Sequence, residues 1–179
     1  MQRTARKVRQ AGAILVVSLL LLLVLTVLGL TAMQMTRMEE RMSGNTRDRD
    51  VAFQGAEAGL REGEAQLETL TEEPIPCTAA PCIVWQREAS EMLGELRDRD
   101  QTWWATNSQQ FGDDGEGDMN TAEQPRFVVQ EVRRIENDLN VGQSDDGSGR
   151  SVYRVVSTSV GATSDARVML ETTFTRLSN

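Results

Sequence analysis

The chain has 179 residues, a formal net charge of −8 and no histidine. This length allows one domain with a modest core. Without histidine, Ser–His and Cys–His nucleophiles and histidine-ligated metals are excluded, and no carboxylate spacing points to paired-acid chemistry, so an enzyme is the least favoured class. The acidic charge also argues against nucleic acid as the main partner.

The first predicted element is a membrane-spanning helix over residues 13–33, a stretch that contains no charged residue. At about 1.5 Å per residue, a helix of this length crosses the roughly 30 Å hydrocarbon core. The basic residues ahead of it favour a cytoplasmic N-terminus: Arg3, Arg6, Lys7 and Arg9. The sequence therefore predicts one membrane crossing, a cytoplasmic N-terminus and an exported C-terminal domain.

A small-residue junction, Gly12–Ala13, lies before the apolar run rather than after it. Secretory signals place their cleavage site after the apolar core. Cleavage at Gly12–Ala13 removes the positive charges and keeps the helix, which suits a segment that later leaves the bilayer and packs in a filament. An uncleaved signal anchor is the alternative explanation of the same order.

The helical pattern continues past the membrane to residue 70. Residues 34–70 contain no proline, and Pro74 and Pro76 mark the end of the helix. Spacings of three and four predict an amphipathic face formed by Phe53, Ala56, Leu60, Gly63, Leu67 and Leu70. A neighbouring row of small residues consists of Gly55, Gly59 and Gly63. Packing on the chain's own sheet explains this row better than packing on another chain.

The residues on either side of the membrane boundary resemble the N-terminal signature of the PilX family, the minor pilins of type IV pili. The resemblance covers about residues 11–64, and the remainder is similar to pilins only in architecture. Its specific part consists of Glu39, Glu40, Arg41, Met42, Ser43, Gly44 and Asn45, then Arg47, Asp48 and Arg49, then Ala52, Phe53, Gln54, Gly55, Ala56, Glu57 and Ala58.

The charged part of this signature has two interpretations. Charges just past a membrane often mark only a solvated helix end. Alternatively, Glu39 or Glu40 pairs with Arg47 or Arg49 of a neighbouring helix. Such exposed pairs contribute about 0–1 kcal/mol each, so they would set the register of packing more than its affinity.

The resemblance implies that a prepilin peptidase cuts between Gly12 and Ala13 and methylates the new amine of Ala13. It further implies assembly with the major pilin, with minor pilins of the PilV, PilW, PilE and FimU types, and with a large tip adhesin. The implied role is to initiate pilus assembly at or near the tip, in support of adhesion and twitching motility. The implied location is the bacterial inner membrane, with a periplasmic C-terminal domain, before assembly and the pilus tip at the cell surface after it. The alternatives are a K-type pseudopilin of type II secretion and a membrane-anchored periplasmic protein of another function.

Two positions depart from the typical pilin pattern. Most pilins carry Phe at the first mature position and Glu at the fifth, where this chain has Ala13 and Val17. A carboxylate in lipid costs about 2.5–3.5 kcal/mol, and in typical pilins it is thought to pair with the terminal amine of the subunit above. Val17 cannot make this pair, as in K-type pseudopilins, so we expect a first, tip-proximal subunit. Recruitment through the periplasmic domain is the alternative.

Residues 71–126 predict a loop region with a short helix. Cys77 and Cys82 fall in the oxidising compartment, which favours a disulfide worth about 2 kcal/mol over two separate thiols. A short helix is expected over 83–96, with Trp85, Met92 and Leu96 inward. Trp103 and Trp104 are expected to anchor this region to the core, with ligand stacking as the alternative.

No catalytic residue, cofactor or metal site is predicted. Two cysteines without histidine leave too few ligands for a structural metal. The acidic run at 113–118 lacks the glutamate that an EF-hand needs at its twelfth position, where Gln124 stands, so this run and 143–151 are interpreted as surface loops rather than calcium sites.

The last third of the chain predicts an antiparallel sheet. The expected strands are 127–135, with a bulge, 152–160, and 167–176, where Val168, Leu170 and Phe174 face inward and Met169 outward. The fold class is α+β, a pilin fold in which the upper half of one long helix packs on three to four strands with the other sheet face wet. The predicted segments are the leader (1–12), the membrane helix (13–33), its amphipathic continuation (34–70), the loop region (71–126) and the sheet (127–179).

Overall fold

The computed structural model describes residues 13–86, 96–112, 119–136 and 149–178. The chain divides into two compact units, residues 1–44 and 45–179. In chain order the elements are α1 (Ala13–Thr69), β1 (Val84–Trp85), a 3-10 turn (Leu96–Asp98), α2 (Gln101–Asn107), β2 (Gln109–Gln110), β3 (Arg126–Glu136), β4 (Gly149–Val160) and β5 (Arg167–Ser178).

Helix α1 begins as the apolar segment that the sequence predicts. Its most apolar stretch has a mean hydropathy of 3.1 and no buried residue, and it is long enough to cross a membrane. The hydroxyl groups in it are satisfied within the helix: Ser18 Oγ donates to the Leu15 carbonyl at 2.9 Å, and Thr26 Oγ1 to that of Leu23 at 2.8 Å. The helix therefore carries its polar groups into an apolar environment already hydrogen-bonded.

In the second unit, residues 45–69 of α1 bury one face on the sheet. The buried residues are Ala52, Gly55, Ala56, Gly59, Gly63 and Leu67. The predicted face is confirmed at Ala56 and Gly63, but it is wrong at Phe53, which is 45% exposed. Helical residues turn by about 100° each, so Phe53 lies about 90° from the centre of the buried face. Small residues occupy that centre because the helix approaches the sheet closely.

The sheet has the strand order β1-β3-β4-β5, with β2 also paired to β3. The three long strands are antiparallel, as predicted, and the expected bulge in β3 lies between Glu131 and Arg133. The sheet is nevertheless mixed, because β1 pairs in parallel with β3. The expectation of a helix from residue 83 is wrong at Val84–Trp85, which form β1; residues 87–95, including Met92, lie outside the described residues.

Both faces of the sheet carry a hydrophobic core. On the α1 side the cluster consists of Leu67, Val84, Phe127, Val129, Tyr153 and Val155. On the far side a second cluster consists of Trp85, Leu96, Trp104, Val128 and Val156, with Met169 and Trp103 against it. The prediction of a wet far face with Met169 outward is therefore wrong, because the tryptophans of the loop region cover it. Trp104 anchors that region as expected and is 1% exposed.

The glycine row keeps α1 in register with β4. A Cβ at Gly59 would meet the Ser157 side chain, and one at Gly63 would lie 2.6 Å from Val155 Cγ1 and 3.0 Å from Phe127 Cδ2. Four helical residues rise about 6.0 Å and two strand residues about 6.8 Å, so one step along the row matches one step along the strand face. The close approach is thus repeated along the helix.

Replacing Gly63 by Ala tests this approach. Val155 and Phe127 are buried on all sides, so neither can yield, and we expect Gly63→Ala to lower the free energy of unfolding by about 1–3 kcal/mol. Gly44→Ala is the matched control, because a Cβ there has nothing within 4 Å. Urea unfolding of the detergent-solubilised full chain measures both variants. Equal stabilities would contradict the close-packed interface.

Candidate assembly surfaces

The apolar half of α1 presents an uncovered surface. Between Ile14 and Met33 its large side chains are 50–73% exposed, Val17 among them at 55%. A contiguous apolar surface of this kind is far larger than water tolerates on a soluble protein, so lipid or protein must cover it. Ala13 is the first residue of the helix, and Gly12 lies outside the described residues.

The charged block lies on exposed helix. Glu39, Glu40 and Arg41 in the first unit are exposed, as are Asn45, Arg47 and Arg49 in the second. Within the described part of the chain, no ion pair involves any of these side chains. The block therefore offers its charges outward. Phe53 belongs with this outward surface, whereas Gly55 and Gly59 face the chain's own strand β4.

Asp48 ties α1 to the turn between β4 and β5. Its Oδ1 accepts the Thr163 backbone N–H at 3.0 Å, and its Oδ2 accepts the Thr163 hydroxyl at 2.5 Å. These bonds, with the Thr163 hydroxyl contributing most and the Ala162 and Ala166 amides adding to them, lower the pKa of the Asp48 carboxyl below its ordinary value of 3.8. Gly161 is needed beneath it, because a Cβ there would lie 2.5 Å from the Asp48 carbonyl oxygen. We call the contact of Asp48 with Thr163 the first clamp.

A second clamp holds the end of α1. Arg176 of β5 donates to the carbonyl oxygens of Leu70 and Glu72, the latter at 3.2 Å. A guanidinium in this place satisfies carbonyls that the ending helix leaves without partners and complements the negative end of its dipole. Glu73 follows and forms an ion pair with Arg134 at 2.8 Å. The helix is therefore fixed to the sheet at both ends of residues 45–69.

Neither clamp was anticipated from the sequence. Asp48 stands inside the charged block, where its neighbours point outward, and its partner is far along the chain at Thr163. A signal existed in the turn sequence from Gly161 to Asp165, which offers backbone amides to an acidic group. Pairing that turn with Asp48 requires the helix register, which the sequence does not give.

The predicted disulfide between Cys77 and Cys82 is present. It shapes the edge of the sheet: the Cys77 amide donates to the Val84 carbonyl and the Gln86 amide to the Cys77 carbonyl, both at 2.9 Å. Residue 77 thereby lies beside Trp85 and pairs with it as an isolated parallel bridge. Cys77 therefore covers the outer edge of β1.

The described residues include no group of three or more potential metal ligands. The acidic run at 113–118 and residues 143–148 lie outside the described residues, and 149–151 belong to β4. The described surfaces are suited to binding other polypeptides or lipid. They are the exposed apolar segment of α1, the exposed charged block and the surface of the sheet domain.

Comparison with known families gives two matches. The PilX N-terminal family model matches residues 11–61, and the model for the type IV pilus assembly protein PilX C-term matches residues 45–176, which is more than half of the chain. No curated protein and no solved structure gives a significant match.

Replacing Asp48 by Asn tests the first clamp. Because the folded-state pKa is depressed, the carboxylate stabilises the fold above its ordinary pKa of 3.8 and loses this contribution as the pH falls through the lower folded value. We therefore expect Asp48→Asn to be less stable than wild type at neutral pH, with the difference shrinking below about pH 4.

Asp50→Asn removes the same charge from an exposed position two residues away and serves as the control. Urea unfolding of the full chain in detergent between pH 3 and 7 gives the comparison. A deficit of Asp48→Asn that persists unchanged at pH 3, or an equal deficit in Asp50→Asn, would contradict the clamp.

Proposed function

Because the chain belongs to the PilX family of type IV pilus assembly proteins, we propose that it initiates assembly of a type IV pilus as a minor pilin at or near the pilus tip. Members of the PilX family are structural components of the pilus. The proposed role is therefore to bind other subunits rather than to catalyse a reaction. The observation that carries the proposal is the uncharged, exposed half of α1, which needs apolar neighbours first in lipid and then in a filament.

Processing at Gly12–Ala13 fits this sequence of environments. Removal of the basic leader by a prepilin peptidase discards the charges that hold the N-terminus in the cytoplasm and leaves the apolar helix intact. Methylation of the new amine of Ala13 belongs to the same step. Before assembly the sheet domain lies in the periplasm, where the Cys77–Cys82 disulfide is stable.

The tip position is supported by the side chain at Val17. A glutamate there would need a partner for its carboxylate in the bilayer, which the terminal amine of an earlier subunit would supply. Val17 creates no such demand, whereas the amine of Ala13 can receive the glutamate of the next subunit. The chain is thus suited to start the assembly. Family membership favours the pilus over the secretion-system pseudopilins.

The proposed partners are the major pilin, the other minor pilins of the PilV, PilW, PilE and FimU types, and a tip adhesin. The exposed charged block sets the register of these partners on α1. Glu39 and Glu40 supply carboxylates, and Arg47 and Arg49 supply guanidinium groups, for ion pairs with neighbouring helices. Such exposed pairs are worth about 0–1 kcal/mol each, so their effect lies in alignment, and the apolar surface supplies the affinity.

Gly12→Val tests the processing step. A branched side chain at the junction should block cleavage, so the variant should migrate on gels with the full-length form from cells that lack the peptidase. Gly29→Ala, at a helical glycine with nothing within 4 Å of the added Cβ, should mature normally. A Gly12→Val protein with the mobility of the mature form would contradict the assignment.

Val17→Glu tests the tip position. The new carboxylate can pair with the terminal amine of an earlier subunit, so labelled protein should appear along the filament as well as at its end. Val16→Glu carries the same charge about 100° around the helix and controls for the charge alone. The pairing argument fails if labelled Val17→Glu subunits remain at one end.

A further inference from the structure

The two edges of the sheet are treated differently by the chain. On one side β1 and β2 extend β3, and Cys77 in turn covers β1. On the other side β5 is the last strand, and no described residue pairs with its outer edge. This strand is twelve residues long, from Arg167 to Ser178, and it contains no proline. Every residue of it pairs with β4 without a bulge. Long, regular, uncovered edges of this kind are what proteins ordinarily avoid.

The backbone groups that β5 presents outward can be assigned. The Gly161 amide donates to the Ala166 carbonyl, so these residues form a hydrogen-bonded pair at the start of the hairpin. Antiparallel pairs alternate between bonded and non-bonded, and residues of the non-bonded pairs direct their N–H and C=O groups away from the partner strand. The outward set on β5 is therefore Arg167, Met169, Glu171, Thr173, Thr175 and Leu177.

Arg167 is exposed at the first residue of β5, but beyond it charges do not protect this edge as they do in many sheets. The Glu171 carboxylate is held by Arg154 of β4 at 2.7 Å, and the Arg176 guanidinium is held by the carbonyls that follow α1. Both side chains are thus directed back onto their own chain. The exposed side chains along the second half of β5 are those of Thr173, Thr175 and Leu177, the last 67% exposed. Threonine is a residue type that favours strand pairing.

The α1 flank above this edge is apolar. Gln66 Nε2 donates to Gln109 Oε1 of β2 at 2.7 Å. The flank of α1 that carries Gln66 therefore faces the edge of the sheet that β1 and β2 cover. Leu60 lies about 120° around the helix from Gln66 and Phe53 about 140°, which places both on the opposite flank, above β5. Leu60 is half-buried and Phe53 is 45% exposed.

Below that flank, β5 carries partly exposed apolar side chains on the same face of the sheet. With the α1 flank they form an apolar ledge, which consists of Phe53, Leu60, Val168, Leu170 and Phe174. An extended segment placed beside β5 would direct alternate side chains onto this ledge, because successive strand residues point to opposite faces.

The far face offers a second recess beside the same strand. Its volume is about 740 Å³, and its apolar part includes Leu96, Val156 and Met169. Its charged lining consists of three arginines and two acids: Arg97, Arg154, Arg167, Asp98 and Glu171. Arginines outnumber acids three to two along this recess, and Glu171 is already paired with Arg154 at 2.7 Å. An acidic side chain that enters the recess would therefore meet an excess of positive charge.

We propose that β5 is a docking edge for an extended segment of another pilus subunit, which joins the sheet as a further strand. The segment carries apolar residues toward the ledge and a polar or acidic residue toward the recess. Main-chain hydrogen bonds to the outward set supply affinity, and the two rows of side chains supply specificity. This inference rests on the proposed function, since it takes the partner from the same assembly.

A second copy of this chain fits the edge less well. A symmetric pair of β5 strands would be antiparallel, and residues 45–69 run parallel to β5, as the pairing of Gly55 with Ser159 and of Gly63 with Val155 shows. The two helices would then run in opposite directions. Subunits that leave one membrane and enter one filament need their helices to run the same way.

Photo-cross-linking tests the proposal in cells that carry the pilus machinery. The full chain receives p-benzoylphenylalanine at Thr173 or at Thr175, and at exposed Thr106 of α2 as a control. Mass spectrometry then maps the adducts. We expect the two β5 positions to label one segment of one other pilus subunit, at sites about two residues apart, as strand pairing requires. Adducts to a second copy, scattered adducts, or none would overturn the proposal.

Thr173→Pro and Thr173→Ala form a matched pair. The proline removes an outward N–H without breaking a bond to β4, so the yield of adduct at Thr175 should fall about tenfold or more, whereas the alanine variant should stay within about twofold of wild type. An unchanged yield in the proline variant would contradict the proposal. Thermal unfolding and the presence of the Cys77–Cys82 disulfide report whether each variant is folded. If the proline variant does not fold, the proposal is decided by the adducts mapped from Thr173 and Thr175 in the chain without the proline.

The readouts separate this proposal from the proposed function. Cleavage at Gly12–Ala13 and recovery of the chain in the pilus fraction report the minor-pilin role. If both are normal and the adducts are absent, the docking edge is refuted and the role stands. If neither occurs, the proposed function itself fails.

Discussion

The structure of residues 45–179 depends on the close contact between the glycine row of α1 and strand β4. Gly55, Gly59 and Gly63 have no side chains to separate helix from sheet, and Ser159, Ser157 and Val155 lie directly opposite. Because the helical and strand rises nearly match over each step, the contact repeats without slippage. A helix that lies this close has one permitted rotation. That rotation decides which residues of α1 are buried and which, such as Phe53, remain for other molecules.

The two clamps make sense in relation to this contact. Glycines confer little hydrophobic stabilisation of their own and cost helix propensity, so the row fixes geometry better than it supplies free energy. Asp48 and Arg176 add charge-assisted hydrogen bonds at either end of the same helical segment, where the contact would otherwise be easiest to open. The hydrophobic clusters on both sheet faces supply the remaining stabilisation. The outcome is that residues 45–69 of α1 are fastened to the sheet along their whole length.

Much of this architecture can be read from the sequence because it follows from periodic patterns. The helix over Ala13–Thr69, the three long strands, the bulge in β3 and the disulfide all come from local spacing and composition. The rotation of α1 could not be predicted in the same way. The spacing of apolar residues places Phe53 inward, whereas the short distance between helix and sheet allows only small residues at the centre of the buried face. The covered far face was missed because Trp85 and Trp104 reach it from a loop region without a periodic pattern.

The open edge of β5 contrasts with the covered edge on the other side of the sheet. There, the segment around Cys77 covers β1 with two backbone hydrogen bonds and a disulfide. Beyond Arg167, the charged side chains of β5 are bound by their own chain, Glu171 by Arg154 and Arg176 by the carbonyls at the end of α1. Arg176, which fastens the end of α1, is thereby withdrawn from the edge. Stability of the domain and availability of its edge arise from one arrangement, so a partner strand can join without disturbing the contacts that hold α1 to the sheet.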